Sequence, residues 1–433
     1  MGAGNKKNKM TKQEKSWIMY DWANSVYATI MMAAVFPIYF SGVANNAGQS
    51  GDFWWGIASS GGMIVLALVA PMVGALANFI GYKKRIFLIF LVLGIGFTLL
   101  SAFSNNWVFL MFGYSISLFG FYGSNLIYDS FLSDVTTPQR MDMISGYGFA
   151  LGYIGGSTIP FLFSIALITF GSNFGIDITL AVKISIVITA LWWGLFTIPF
   201  LKDVKQLYGM EKPKSHPIIR SAFSAVLVTA KKIFLDKRLF FFILAYFFYI
   251  DGVGTVMRMA TAYGATLGLD ATGMILALLV TQLVAFPCSI WFAVLSRRYG
   301  TLKIIYGAIF VYLFICLVGF IMGFGLEESY FGVDTALILF WTLAVLVGTV
   351  QGGIQAASRA YYCQIIPPEH SAEFFGFFDI FGKFAAVLGP LIYSVTLGIF
   401  GRSSYSILSI VALFAIALVI LHVGKKHLQE KQE

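Results

Sequence analysis

Apolar residues run along this chain in blocks of about twenty, the length a helix needs to cross the hydrocarbon core of a bilayer. Twelve blocks can be read: 17–43, 54–79, 84–103, 107–133, 143–170, 178–201, 239–264, 271–296, 302–324, 335–362, 372–400 and 404–424. A barrel strand would alternate apolar and polar positions over about ten residues. Phe87 to Leu100 and Ile407 to Leu421 are instead almost unbroken, so the pattern predicts helices. The expected fold is all-α and integral to a membrane, with twelve transmembrane helices.

The one long interruption, residues 202–238, divides the spans six and six. It predicts an N-terminal bundle over 1–201, a linker, and a C-terminal bundle over 239–433. Inside the linker Ile219, Phe223, Val226, Leu227, Ala230, Ile233 and Phe234 recur at helical spacing, with Arg220, Ser221, Ser224, Lys231 and Lys232 on the other face. That pattern predicts an interfacial amphipathic helix facing anionic headgroups.

Charge orients these spans. Of the 29 Lys and Arg, 25 fall on one side of the twelve-span arrangement and one, Arg402, on the other; Lys183, Arg258 and Lys383 lie within spans. The bias predicts both termini in the cytoplasm. The Lys-rich opening resembles a signal peptide, but the apolar run behind it is too long and contains Asp21, so it reads as the first span. Composition agrees: 58% hydrophobic and 11% charged residues exclude disorder, and three scattered cysteines exclude a disulfide framework. The net +9 serves orientation, and no nucleic-acid partner is expected.

The halves resemble each other. An offset of 230 lays Asp21 on Asp251, Pro138 on Pro368, Gly146 on Gly376, Gly152 on Gly382 and Pro160 on Pro390. An offset of 219 lays Leu76 on Leu295, Gly81 on Gly300 and Lys84 on Lys303. Coincident glycines and prolines answer to backbone needs. Two six-helix repeats in the same orientation fit the parallel-repeat transporter architecture, whose binding site lies near the midplane.

Between the second and third spans stands Gly74-Ala75-Leu76-Ala77-Asn78-Phe79-Ile80-Gly81-Tyr82-Lys83-Lys84-Arg85. It resembles the loop signature of the major facilitator superfamily, Gly-x-Leu-Ala/Ser-Asp-Arg-x-Gly-Arg/Lys-Arg/Lys. Gly74, Leu76, Gly81, Lys83 and Lys84 match, while Asn78 replaces the acid and Phe79 the arginine. In the family that acid helps hold an outward-open state, and the resemblance does not carry its role to Asn78.

Further blocks narrow the likeness: Tyr20-Asp21-Trp22-Ala23-Asn24-Ser25, Tyr128-Asp129-Ser130-Phe131-Leu132, Ser145-Gly146-Tyr147-Gly148, Ser358-Arg359 and Ala372-Glu373-Phe374-Phe375-Gly376-Phe377. Together they are similar to the vacuole-effluxer, autophagy-related permease-like branch of that superfamily. The resemblance implies secondary transport by alternating access, with amino-acid efflux the activity attached to vacuolar members. It also implies that the first, fourth, seventh and tenth helices line a central cavity.

A charge inside a span costs about 2.5–3.5 kcal/mol on insertion scales and needs a partner, a wet cavity or a function. The first span offers Asp21 and Asn24 on one face, and the fourth Tyr122, Asn125 and Asp129. The seventh offers Asp251, Thr255 and Arg258, and the tenth Gln351, Gln355, Ser358 and Arg359. Acids in the first half and arginines in the second suit a zwitterion, an ammonium against Asp21 or Asp129 and a carboxylate against an arginine. Asp21, Asp129 and Arg359 equally fit an inter-helix latch that never meets cargo. Asp251 and Arg258 stand about 10 Å apart along their helix at 1.5 Å per residue, too far for a direct pair. Asp379 and Lys383 form an i,i+4 pair read as structural. Gly148, Gly152 and Gly156 make a packing stripe. For coupling to a proton, Asp251 or Asp21 is the candidate, since no histidine lies in a span interior; a sodium site stays open.

No cofactor, metal site, nucleotide loop or catalytic triad is expected. The residues assigned to substrate are Asp21, Asn24, Tyr122, Asn125, Asp251, Arg258, Gln351 and Gln355; those assigned to coupling or gating are Asp129, Arg359, Asp379 and Lys383. The reading is a monomeric transporter of a small polar or zwitterionic metabolite in a plasma membrane. The alternative is a polytopic membrane enzyme acting on lipid-linked substrates, with Asp129 and Asp134 as metal ligands, although a five-residue spacing points them apart.

Overall fold

Within hydrocarbon a backbone amide has only its own chain to bond to, so apolar segments of this length close their hydrogen bonds as helices. A computed structural model describes residues 9–212, 218–269 and 271–429, and these are helical nearly throughout. In chain order the helices are α1 Lys12–Tyr27, α2 Phe36–Asn46, α3 Gly51–Ala77, α4 Lys83–Ser101, α5 Trp107–Ser130, α6 Leu132–Val135, α7 Met141–Leu151, α8 Ile159–Phe170 and α9 Ile178–Asp203. They continue as α10 Ile218–Leu235, α11 Lys237–Thr266, α12 Ala271–Tyr299, α13 Thr301–Glu327, α14 Val333–Ile365, α15 Ser371–Phe400, α16 Ser403–Val423 and α17 Lys425–Gln429. Eleven helical stretches are long and apolar enough to cross a membrane, or twelve when the bent pair Lys12–Ala34 and Phe36–Asn46 counts as one span.

The first span, read over 17–43, is bent. The chain turns by 40° there, behind a π-helical segment Ala28–Ala34. Pro37, in the first turn of α2, has no N–H to give the preceding turn, and the Val35 amide reaches five residues back to Ile30 O. The fifth span repeats the device: a π-helical segment Gly152–Thr158 separates α7 from α8, with Pro160 just beyond. Single-turn π segments recur at functional positions in helices.

The chain divides into two units. Unit 1 comprises Met1–Phe223 with Pro367–Gly376, and unit 2 comprises Ser224–Ile366 with Phe377–Glu433. Two of the pairs aligned by the offsets share local structure. Gly81 and Gly300 both have positive φ, 83° and 96°, just before α4 and α13, where a side chain would be strained. Pro138 and Pro368 each open a 3₁₀ turn, leading into α7 and α15.

In α10, Ala222, Thr229 and Ile233 are buried while Phe223, Leu227 and Phe234 are each at least 60% exposed, and Lys231 and Lys232 are exposed as well. Large apolar side chains and lysines are thus exposed together on this helix. The Arg220 side chain and residues 213–217 lie outside the described set. At the opposite end of unit 2, Glu327 accepts from Ser403 Oγ at 2.9 Å and from the Ser404 amide at 3.0 Å, anchoring the start of α16. Arg402 pairs with Glu328, whose hydrogen bond raises the guanidinium pKa above its ordinary value.

Candidate functional site

Unit 1 builds its polar face on the seam between α1 and α5. Trp17 Nε1 donates to Tyr128 O at 3.0 Å, Tyr20 OH to Ser124 Oγ at 2.9 Å, and Asn24 Nδ2 to Asn125 Oδ1 at 2.6 Å; Tyr27 OH and Ser117 Oγ lie 2.6 Å apart. Residues 17, 20, 24 and 27 form one helical stripe, so one face of α1 is spent on α5. Asn24 and Asn125, assigned to substrate, are thus brought together, with Asn24 only 4% exposed.

On α5 the open positions are different ones. Tyr122, Asn125 and Asp129 are half-buried, while Phe121, Gly123, Ser124, Leu126, Ile127 and Tyr128 are buried. Spacings of three and four put the open residues on one stripe. Asp21 and Ser25 are half-buried on α1, which leans on the glycines of the second π segment. A Cβ at Gly152 would lie 2.6 Å from Ser25 Oγ, one at Gly155 1.9 Å from the Trp22 ring, and one at Gly156 2.6 Å from Ser25 Cβ. Of the three glycines read as a packing stripe, Gly152 and Gly156 meet α1 at close range. Gly155, not singled out in the sequence, makes the tightest approach.

At the other end of this bundle lies the loop signature. Asn78 is 1% exposed; its Oδ1 accepts the Ala372 amide at 3.1 Å and its Nδ2 donates to Glu373 Oε2 at 3.3 Å. A carboxylate therefore stands beside this position after all, supplied by Glu373 at the start of α15. Lys83, also 1% exposed, donates to Asp134 Oδ2 at 2.8 Å, to Ser371 Oγ at 2.9 Å and to Ser130 O at 3.4 Å. Asp134 Oδ1 accepts the amides of Leu207 and Tyr208 at 2.7 and 2.9 Å. Gln206 donates to Phe79 O at 3.3 Å and accepts the Gly81 amide at 3.0 Å, and Lys84 donates to Val204 O at 2.9 Å. The beginning of the linker is strapped across the loop. Gly74 permits the approach: a Cβ there would lie 2.3 Å from Ala372 O.

Sequence reasoning missed Glu373, Ser371 and Gln206, and took Asp134 only as a weak metal ligand. It also missed Glu14, 2% exposed, which accepts from Arg140 at 2.9 Å and Thr136 Oγ1 at 2.7 Å. The one readable signal was Thr11 with Glu14, a capping box at the start of α1.

Unit 2 presents a different arrangement. Asp251 is fully buried on α11. Thr255 Oγ1 stands 3.4 Å from its Oδ1, and Oδ2 has no hydrogen-bond partner among the described residues. Gly389 of α15 covers the pair so closely that a Cβ would lie 2.0 Å from Thr255 Oγ1 and 2.8 Å from Asp251 Oδ1. Arg258 is exposed, and its guanidinium folds back beside Gly254, 3.0 Å from where a Cβ would be. On α14, Gln351 and Arg359 are buried at 1% and 4% exposure, whereas Gln355 is half-buried and donates to Gln351 O at 2.9 Å. Of the second-half candidates, Arg258 and Gln355 are the reachable ones. Asp379 and Lys383 are paired, as expected. Among the described residues no cluster of three His, Cys, Asp or Glu could hold a metal ion.

Residues 133–431 match the family model described as "Vacuole effluxer Atg22 like". The chain is 42% identical over 420 residues to the uncharacterized MFS-type transporter YxiO of Bacillus subtilis, covering 95% of each. It is 27% identical over 316 residues to autophagy-related protein 22 of Cryptococcus neoformans, spanning 51% of that longer protein. In fold it is similar to a bacterial homologue of the iron transporter ferroportin in an outward-facing state, with TM-score 0.63 at 14% identity, covering 96% of this chain and 99% of that one. It is likewise similar to the human organic anion transporter MFSD10, with TM-score 0.64 at 13% identity, covering 95% and 99%. These relatives are transporters, which sets the membrane-enzyme alternative aside. The chain belongs to the vacuole effluxer Atg22-like family and is a multi-pass membrane transporter of the major facilitator type.

Proposed function

We propose that the cargo is a small zwitterionic metabolite, an amino acid before others, and that its movement is coupled to a proton taken up at Asp251. The carrying observation is the division of accessible charge: half-buried Asp21 and Asp129 in unit 1, exposed Arg258 in unit 2. An ammonium answers to the carboxylates and a carboxylate to the planar guanidinium. The effluxer description of the family favours export.

The test is flux in proteoliposomes. Saturable uptake of labelled amino acids that accelerates when unlabelled substrate is loaded on the far side would carry the reading, whereas unsaturable flux without counterflow would reject a carrier. Arg258→Ala is expected to cut that uptake about tenfold or more at equal reconstitution, since it removes the guanidinium that would answer the cargo's carboxylate. Unchanged kinetics would take Arg258 off the cargo.

For coupling, Asp251 carries an oxygen walled from water with no donor among the described residues, a costly state that an arriving proton relieves. Asp251→Asn should transport down a cargo gradient yet ignore an imposed pH gradient to which the parent responds. If the variant still follows the pH gradient, coupling resides elsewhere.

A further inference from the structure

Unit 2 contains a second polar feature, far along the chain from the cargo residues. At the basic end of the bundle, the start of α13 and the end of α16 enclose a cavity of about 250 Å³ lined by Leu302, Lys303, Tyr306, His422 and Lys425. Four polar residues line it: Lys303 and Tyr306, one turn apart on α13, His422 in the last turn of α16, and Lys425 at the start of α17. Among the described residues no acid lines the space. The side chains of Lys303, His422 and Lys425 make no hydrogen bond or ion pair among the described residues. The Tyr306 hydroxyl is buried without a hydrogen-bond partner among the described residues, although it is a donor. The N-cap of α13, Gly300, provides no side-chain cap, and no acid stands in the first turn.

The first half shows how such a corner is otherwise filled. Lys84, aligned with Lys303 by the 219-residue offset, is satisfied by Val204 O. The same offset carries Val204 to Val423, at the end of α16 beside this cavity, where no strap of linker chain lines the space.

We propose that this cavity is a site for the phosphate of an anionic glycerophospholipid. Two ammonium groups and a hydroxyl supply the donors a phosphate requires, and the imidazole offers a further ring N–H. The volume falls below the roughly 300–1,000 Å³ typical of pockets that enclose a small molecule, which suits a headgroup whose remainder lies outside. A track for that remainder is present. On α13, Phe310 lies two turns from Lys303 on the same face and is 60% exposed. On α16, Val419 and Ala415 lie three and seven residues before His422, both exposed, Val419 by 62%. A soluble phosphate would have no use for such an apolar lane. Basic pockets between membrane helices on the cytoplasmic side bind anionic headgroups elsewhere by the same chemistry.

Native mass spectrometry of the purified full-length protein, titrated with phosphatidylglycerol or with phosphatidylcholine, tests this. One phosphatidylglycerol is expected to bind in preference to phosphatidylcholine, and Lys303→Gln with Lys425→Gln to bind it about thirtyfold more weakly while unfolding at the same temperature in lipid-free detergent. Tyr306→Phe should weaken it further without changing charge. Lys231→Gln with Lys232→Gln, on the exposed face of α10, should leave that lipid bound. Equal binding by parent and the Lys303/Lys425 variant would overturn the proposal, as would loss of the lipid only in the α10 variant. Displacement of the lipid by millimolar inorganic phosphate or glycerol phosphate would overturn the lipid assignment in favour of a soluble ligand.

Discussion

Lys83→Met is expected to destabilise the protein by about 3–5 kcal/mol, the usual consequence of stranding one member of a buried ion pair. Lys83 and Asp134 have side-chain exposures of 1% and 0% at a separation of 2.8 Å. Methionine fills the same channel but leaves the Asp134 carboxylate with only the Leu207 and Tyr208 amides, which bond its other oxygen. The double change Lys83→Met with Asp134→Asn keeps an acceptor for those amides and removes the stranded charge. It should therefore recover more than half of the loss. Thermal unfolding of the detergent-solubilised protein separates the cases. A single variant that unfolds with the parent, or a double variant as fragile as the single, would show that the pair is not what holds this corner.

Lys83 also illustrates what a linear reading can reach. Its place in a glycine-and-lysine loop is plain in the sequence, yet its partners are 51 and 288 residues away and belong to no shared period. The spans were legible because hydrocarbon imposes one length and one composition on each. The bend at Val35 was legible only in retrospect from Pro37, since proline inside a long apolar block does not by itself say whether the helix kinks or ends. Asn24 and Asn125 were found as polar residues in apolar helices, but not as each other's partner. Glu373 was quoted as part of a family block and passed over as chemistry, because a carboxylate at a helix start reads as an ordinary first-turn acid. Polar residues inside spans were correctly flagged as expensive. Which of them stay reachable depends on neighbours such as Gly389 over Asp251, and helical period alone does not supply that.

Gly120→Val is expected to yield little monodisperse protein, because the obstacle is backbone. α5 crosses α4 at Gly120 and Gly94 so closely that a Cβ at 120 would lie 2.3 Å from the Gly94 nitrogen and 2.7 Å from Phe90 O. A side chain can rotate out of the way, but a helix backbone has to move bodily, and Gly94 is itself pinned from behind: a Cβ there would lie 2.4 Å from the Trp193 ring. In lipid, close approach through small residues is a main source of helix association, so separating the two helices forfeits the contacts that hold them. Overpacking of this kind costs about 1–3 kcal/mol for a modest enlargement and more where the surroundings cannot yield. Gly120→Ala gives the graded version, with a lowered unfolding midpoint but recoverable protein. Gly96→Ala, on the same helix as Gly94 with nothing within 4 Å of its Cβ position, supplies the control and should match or exceed the parent. Should Gly120→Ala and Gly96→Ala unfold at the same temperature, the α4–α5 crossing does not depend on the missing side chain, and the contribution of glycine there is conformational rather than steric.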